Sequence, residues 1–361
     1  GELESIRPLL DRARREGWES VVTGFSPSLE LTLRRMGGDA GGQGGRLRHA
    51  GLSPGEGQWA AALAGVRPHA FVTAKYEAWP DLWASLGERK IPLLIVGAKP
   101  RGSLRTVRRA LTALGGAIPP LDLVAFEDQD TAALREIFPA ARVESGVDPR
   151  WDRASERARR PSARVDELAT RFAGLPKPWG ILGSAWPADV RRFERGWAHG
   201  RGKGTLWVVP HRVDDAGVRE VEDELRMLGL MPFRSNDGTG KLVPPKDGKA
   251  CVVVNEMGFL SELYRLGDWA YVGGGFGAGV HSTIEPAVHG LSIAAGPARA
   301  QLFTEVRILS ARGQLTLVKD GVQLASWLRS VTEGAPKRFE VGALLGGTDR
   351  IWARLAGVVR P

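Results

Sequence analysis

One cysteine occurs in 361 residues, Cys251, inside the apolar run Ala250-Cys251-Val252-Val253-Val254. An internal disulfide framework and a cysteine metal cluster are thereby excluded, and the thiol is expected to be an inert core group. Long hydrophobic runs are missing too. No stretch approaches roughly 18 consecutive apolar residues, so no spanning helix is expected in this sequence. No signal-peptide pattern is found. There is no His/Asp/Glu set with zinc spacing, no Gly-x-Ser-x-Gly elbow and no Walker-type phosphate loop. The aromatics are mostly Trp and Phe set in apolar runs rather than among basic residues, so nucleic acid is not an expected partner. No internal repeat is present, and no low-complexity tract beyond one glycine-rich loop.

What is present describes a globular protein: 43% hydrophobic and 25% charged residues, a length sufficient for two domains, and a net charge of +9. A basic balance is met by an anionic partner such as a nucleotide, a nucleic acid or an anionic lipid surface, or by nothing beyond a basic cytosolic protein. Arginine is spread along the chain, so composition alone does not choose. The sequence begins at Gly1, without methionine and directly before an amphipathic helix, and residues upstream are expected.

Apolar periodicity predicts helix and strand in alternation. In the first part, helices are expected over 3–16, from Ser26-Pro27-Ser28 onward, and over 58–65, 104–114 and 130–138. Strands are expected over 21–23, 70–74, 92–96, 121–125 and 141–144. Residues 37–57 are glycine-rich and read as loop, with at most a short strand near Leu47. Residues 151–178 are rich in arginine and proline, with one helical piece over 166–172, and read as an interdomain linker. Beyond it, strands are expected over 179–182, 206–209, 251–254, 269–272 and 291–295. Helices are expected over 188–198, 216–228, 259–266, 283–289 and 322–332, and residues 235–249 read as a polar loop. The expectation is therefore α/β: two doubly wound domains, 1–150 and 179–361, with ligands outside the carboxyl ends of the strands and the natural active site in a cleft between the domains.

The chain is organised around Gly273 to Glu285. A strand, a glycine loop and a helix start follow one another there, the arrangement that cradles a phosphate or nucleotide. Two readings stand: a tight turn beside a solvated glutamate, or a nucleotide site. In the second, Glu285 accepts ribose hydroxyls and His281 donates to phosphate. Glu77, in Lys75-Tyr-Glu-Ala-Trp-Pro80, follows a strand, and Trp79-Pro80 walls a pocket and opens a helix. The competing reading of Glu77 is a surface glutamate. Gly183-Ser-Ala-Trp-Pro187 is another phosphate-type turn, weak on its own. His211 and Arg212 end a strand, where an arginine fork either holds phosphate or lies at the surface. Glu2, taken alone, is a favourable charge at a helix N-terminus.

Taken together, these motifs resemble the Kdo transferases, the 3-deoxy-D-manno-octulosonic acid transferases of lipopolysaccharide synthesis. The match is carried by Met257-Gly258, Leu263-Tyr264, Val272-Gly273-Gly274, Gly279-Val-His-Ser-Thr-Ile-Glu-Pro286, His289-Gly290 and Gly296-Pro297, near the family's Gly-Gly-His-Asn-x-Leu-Glu-Pro. Upstream, Glu77-Ala-Trp-Pro80, Val96-Gly-Ala98, Gly146-Val-Asp-Pro-Arg150, Gly183-Ser184 and Pro210-His-Arg212 are similar to further family motifs. Gly1-Glu2 falls where the family has Ser-x-Gly-Glu, whose glutamate is the proposed base. The departures are Ser282 for an asparagine, Val280 for a glycine, Lys75 where a glutamate is common, Gly97 for an asparagine, swapped His211 and Arg212, and Trp186-Pro-Ala-Asp189 for a His-Glu-Gly-Glu type run.

The resemblance implies a GT-B architecture, two Rossmann-like domains facing across a cleft, with the acceptor domain first and the donor domain second. It implies an inverting glycosyltransferase that moves Kdo from CMP-Kdo to a lipid A precursor without a metal or other cofactor. Glu2 is then the catalytic base. Ser184, His211, Arg212, Met257, Gly258, Gly273, Gly274, Gly279, His281, Ser282 and Glu285 bind the donor, and Glu77 and Trp79 position acceptor or sugar. The implied partners are a CMP-sugar, an anionic lipid A-type acceptor and a membrane surface, at the cytoplasmic face of the bacterial inner membrane. The alternatives are a GT-B enzyme with another nucleotide-sugar donor, and a non-catalytic protein that binds a nucleotide sugar.

Overall fold

The computed structural model describes residues 2–24, 47–50, 57–75, 77–198, 203–237 and 248–359. The expected helix after Ser26 and most of the loops 37–57 and 235–249 lie outside them. The chain divides into two compact units, Gly1–Arg153 with Leu344–Pro361, and Ala154–Ala343.

In the first unit, β1 (Ser20–Thr23) pairs in parallel with β2 (Leu47–Ala50). A separate parallel sheet runs β3 (Phe71–Ala74), β4 (Leu93–Val96), β5 (Leu121–Val124) and β6 (Arg142–Glu144), in that order. β4 and β5 are buried at every position, as a parallel sheet covered on both faces requires. Successive side chains go to opposite sides. Leu93, Ile95, Leu121 and Leu123 join one core with the helices Pro80–Glu88 and Gly102–Ala113. Leu94, Val96 and Val124 join another with Leu9 and Ile351.

That second core corrects the expected domain limits. Ile351 belongs to the helix Gly347–Val359, which the sequence reading placed in the second domain and did not identify as a helix. Its burial, worth about 1.5–3 kcal/mol, covers a face of the β3–β6 sheet that the helix Glu2–Arg15 covers only in part. Polar contacts fix the register. Arg354 Nε donates to Asp122 at 2.8 Å and Arg354 Nη1 to Glu144 at 2.8 Å. Asp152 accepts from the backbone N–H groups of Gly346 and Thr348 at 2.6 and 2.5 Å.

The segment expected as a linker is also different. It forms the helices Arg150–Ala158 and Ala163–Arg171, and the division between the units falls inside the first. Val165, Leu168 and Phe172 are fully buried in a core with Trp179 and Trp207. The helix Ala163–Arg171 is the helical piece expected over 166–172, whereas the helix Arg150–Ala158 was not expected.

The second unit holds one seven-stranded, fully parallel sheet. Its strands are β7 (Trp179–Ala185), β8 (Gly204–Pro210), β9 (Pro232–Arg234), β10 (Lys249–Val253), β11 (Trp269–Val272), β12 (Ser292–Ala295) and β13 (Leu315–Leu317), in the order β13-β12-β11-β7-β8-β10-β9. The chain enters at the centre, builds toward β9, then returns to β11 and builds the other way. The strand order therefore reverses between β7 and β11, the topological switch point at which open α/β sheets leave a crevice. Leu182, Leu206, Cys251 and Tyr271 face one core, Ile181, Trp207, Val252 and Ala270 the other. Cys251 is 1% exposed, and burial pushes its thiol well above its ordinary pKa, so it is inert as expected. β9, β13 and the helix Thr304–Ala311 were not expected; β9 and β13 are only three residues each and carry no period-2 signal. No helix among the described residues is long and apolar enough to cross a membrane.

Candidate functional site

At the carboxyl end of β11 the chain turns through residues 273–283 before the short helix Ile284–Val288. Glycine is demanded here by close backbone approach. A Cβ on Gly273 would lie 2.2 Å from the Ser184 carbonyl oxygen, one on Gly275 2.5 Å from the backbone of Gly296, and one on Gly274 2.3 Å from the Gly279 oxygen. Gly274 and Gly279 also take φ of +88° and +110°, which side chains disfavour. The loop is wedged between the ends of β7 and β12. Many of its amides are already used: Gly273 N–H donates to Gly183 O at 2.9 Å, Gly279 N–H to Gly274 O at 2.9 Å and His281 N–H to Gly273 O at 3.2 Å. The loop thus folds back on itself.

A buried carboxylate holds the loop down. Asp189, 1% exposed, accepts from Gly274 N–H at 2.8 Å, from Trp186 N–H at 3.0 Å and from the Tyr271 hydroxyl at 2.9 Å. Burial raises its pKa, and the hydrogen bonds oppose that rise without cancelling it. The same burial and the Asp189 charge push the Tyr271 phenol up. Asp189 was not among the expected site residues. Its spacing, three residues after Trp186 at a turn into the helix Pro187–Arg191, is the local signal that could have found it.

Over this anchored turn sit three rings. Trp186 stacks on His211 at 4.4 Å between centroids, and His281 stacks on His211 at 4.5 Å, each tilted by 19°. Trp186 Nε1–H donates to His281 Nε2 at 3.3 Å. They come from the ends of β7, β8 and β11, which brings His211 and His281 together with Trp186. Burial, then the neighbouring His211, lowers the His281 pKa.

The remaining expected donor residues are placed as follows. Ser184 sits where β7 and β8 lose register, at φ +52°, half-buried. Ser282 is exposed and Glu285 half-buried in the first turn of its helix. Burial, followed by the Glu285 charge, raises the Tyr264 phenol, whose oxygen packs under Gly183. Met257 is 77% exposed. The carbonyl of Gly258 accepts from Arg157 at 2.7 Å, and Arg157 also bonds Glu262 at 2.8 Å. Arg212 is exposed and engaged by Asp214 at 3.1 Å and Glu220 at 3.6 Å. The structure thus sets it at the head of the helix Asp215–Met227, outside the ring cluster.

In the first unit, the candidates gather at the carboxyl end of β3. Lys75, at φ +62°, pairs with Glu2 through Nζ–Oε1 at 3.0 Å. Burial alone would raise the Glu2 carboxyl, but the Lys75 bond and charge outweigh it and hold it below its ordinary pKa. Trp79 Nε1–H donates to Glu77 Oε2 at 2.8 Å, and Trp79 precedes the helix opened by Pro80. Lys99 and Glu127, after β4 and β5, form a further pair at 3.5 Å that sequence reasoning did not single out. Among the described residues no group of His, Cys, Asp and Glu is arranged to hold a metal ion.

Residues 1–153 match the family model of the 3-deoxy-D-manno-octulosonic-acid transferase (kdotransferase) N-terminal domain. No curated protein matches the chain. Among solved structures it is similar to a UDP-N-acetylglucosamine 2-epimerase from Listeria monocytogenes, at 12% identity and TM-score 0.55 over 99% of this chain and 94% of that one. It is also similar to Alr3699/HepE of Anabaena, solved with UDP, at 12% identity and TM-score 0.54 over 98% and 94%. The C-terminal CMP-Kdo binding domain of WaaA from Acinetobacter baumannii aligns at 17% identity and TM-score 0.38 over 55% of this chain and 99% of that one. The first two likenesses show the fold, which is of the GT-B class.

Proposed function

We propose that this chain, whose first 153 residues match the Kdo-transferase N-terminal family model, transfers Kdo from CMP-Kdo to an anionic lipid A-type acceptor. That it is a glycosyltransferase follows from the family match, which is also the observation that carries the finer reading. The donor nucleotide is assigned to the second unit. The supporting feature is the convergence, at the switch point, of Ser184, the ring cluster and the glycine loop held by Asp189. Glu285 is assigned to the ribose and His281 to the phosphate. Glu77 and Trp79 position acceptor or sugar.

In the proposed step, Glu2 takes the proton of the acceptor hydroxyl while that oxygen bonds to the anomeric carbon. The bond from that carbon to the CMP phosphate oxygen breaks with inversion, and CMP leaves with the electron pair. A positioned base contributes about 10²–10⁴-fold. The Lys75 pair keeps Glu2 ionised and aimed, at some loss of basicity. No metal is needed for this step. The net charge of +9 suits work on an anionic surface, and we place the protein at the cytoplasmic face of the inner membrane.

The test is turnover of CMP-Kdo with a lipid A precursor, alongside calorimetric binding of CMP. Release of CMP coupled to acceptor glycosylation is the expected result. Absence of CMP binding sinks the donor assignment. A UDP-sugar donor is the second reading, favoured by the UDP in the similar Anabaena structure, and tight UDP binding in place of CMP would select it.

A further inference from the structure

Trp186 is a position where the chain departs from the motif it resembles, and its indole makes a specific contact. The indole Nε1–H is a donor and has no acceptor capacity. Its bond to His281 Nε2 at 3.3 Å therefore requires that nitrogen to hold a lone pair. Both rings lie against the same face of His211. On opposite faces they would stand about 7 Å apart, twice a van der Waals contact, which the 3.3 Å bond forbids. Trp186 and His281 are thus edge to edge under His211.

The contact is fixed from below. One carboxylate oxygen, Asp189 Oδ2, accepts from Trp186 N–H and from Gly274 N–H. It ties the turn that carries Trp186 to the loop that carries His281, and Gly273 packs on Ser184 between them. The distance between the two rings is set by backbone anchored at a buried group.

We propose that Trp186 is a positioning residue for His281: it holds Nε2 as an acceptor, so the neutral imidazole carries its proton on Nδ1 and has that N–H as its single donor. A charged imidazolium would face the indole N–H with a second N–H, so protonation breaks the bond. Burial and His211 act in the same sense. The other charged groups around the loop are Asp189 beneath Gly274, Arg299 beside Gly279 and Arg192 over the Phe276 ring. That the Nδ1–H meets a phosphate oxygen of a nucleotide rests on the donor-site reading above; the tautomer does not.

The experiment uses the full chain labelled with ¹⁵N-histidine and two-bond ¹H–¹⁵N spectra, with the signal assigned by its loss in His281→Gln. Wild type is expected to show His281 protonated at Nδ1 and bare at Nε2. An Nε2–H tautomer in wild type overturns the proposal without any variant. Trp186→Phe keeps a ring against His211 and removes the donor. The expected result is a shift toward the Nε2–H tautomer, which an unconstrained histidine side chain prefers, and a titration midpoint moved to higher pH. An unchanged tautomer and midpoint in that variant overturn the proposal, because a merely structural Trp186 would leave both in place. Added CMP is expected to move the His281 Nδ1 signal. CMP that binds but leaves it unmoved overturns the phosphate contact, whereas CMP that does not bind removes the donor-site reading and leaves the tautomer result standing.

Discussion

The two units present most of their candidate residues alike, just beyond the carboxyl ends of parallel strands, with Glu2 at the head of a helix, yet hold them by different means. In the unit Ala154–Ala343 the loops are locked by backbone contact and a buried carboxylate. Gly273, Gly274 and Gly275 leave no room for a Cβ, and Asp189 joins two loops at 1% exposure. In the unit that holds Glu2, the groups meet through side chains at the surface. The Glu2–Lys75 pair is 50% and 30% exposed. A locked site suits a ligand that is the same in every turnover, as a donor nucleotide is, because pre-organisation lowers the cost of binding. An exposed ion pair is held weakly and can yield to an incoming hydroxyl.

The comparison breaks first at Glu2. If Glu2 is the base, Glu2→Gln keeps the shape and removes the proton acceptor. Turnover is expected to fall by about 10²–10⁴-fold with CMP affinity unchanged, read by single-turnover assay and calorimetry. Wild-type rates in the variant would move the chemistry away from the first unit altogether.

Next comes the lock itself. Asp189→Ala leaves the amides of Trp186 and Gly274 and the Tyr271 hydroxyl without their acceptor, at roughly 1–3 kcal/mol for a buried polar group left unpaired. A lower denaturation midpoint and weakened CMP binding are expected. Asp189→Asn tests the cause. Its amide oxygen can accept from both N–H groups while its NH₂ faces the Tyr271 oxygen, and it carries no buried charge. The sign follows from the pKa. Asp189 is raised in the folded state, so its ionised form opposes folding above that pKa, and the neutral asparagine is expected to hold the loop at neutral pH. Equal loss in both variants would mean that the charge, not the hydrogen-bond geometry, holds the loop.

The two regions also differ in how far they could be read from sequence. β11 was expected at its observed limits because an apolar run bounded by Asp268 and three glycines has few other readings. The glycine loop was legible for the same reason. Its lock was legible only in part: the Asp189 bond to Trp186, three residues away, is a local capping pattern, but Tyr271 and Gly274 lie 82 and 85 residues away in sequence and leave none. Within 151–178 the helical piece over 166–172 was legible, but the helix Arg150–Ala158 was not, because its nine residues are mostly charged or polar. The helix Gly347–Val359 was misread because position in the chain says nothing about which sheet a helix covers. Arg212, after β8, bonds Asp214, two residues on, a local pair that its place after the strand does not announce.

The smallest effect probes the weak pair. Lys75 stands where the resembling family commonly has a glutamate, and its ammonium is what holds Glu2 below the ordinary carboxylate range. A base must be deprotonated to act, so the lowered pKa extends activity toward acid. Lys75→Met removes the bond and the charge while retaining most of the stem. The acidic limb of kcat/KM is then expected to move to higher pH. The rate on the plateau should hold or rise slightly, since a less stabilised carboxylate is a stronger base. Stability should change little, because an exposed pair contributes about 0–1 kcal/mol. A limb that stays in place would mean that Glu2 does not set it. A plateau that collapses would mean that Lys75 does more than tune its neighbour, and the first unit would then be as firmly built as the second.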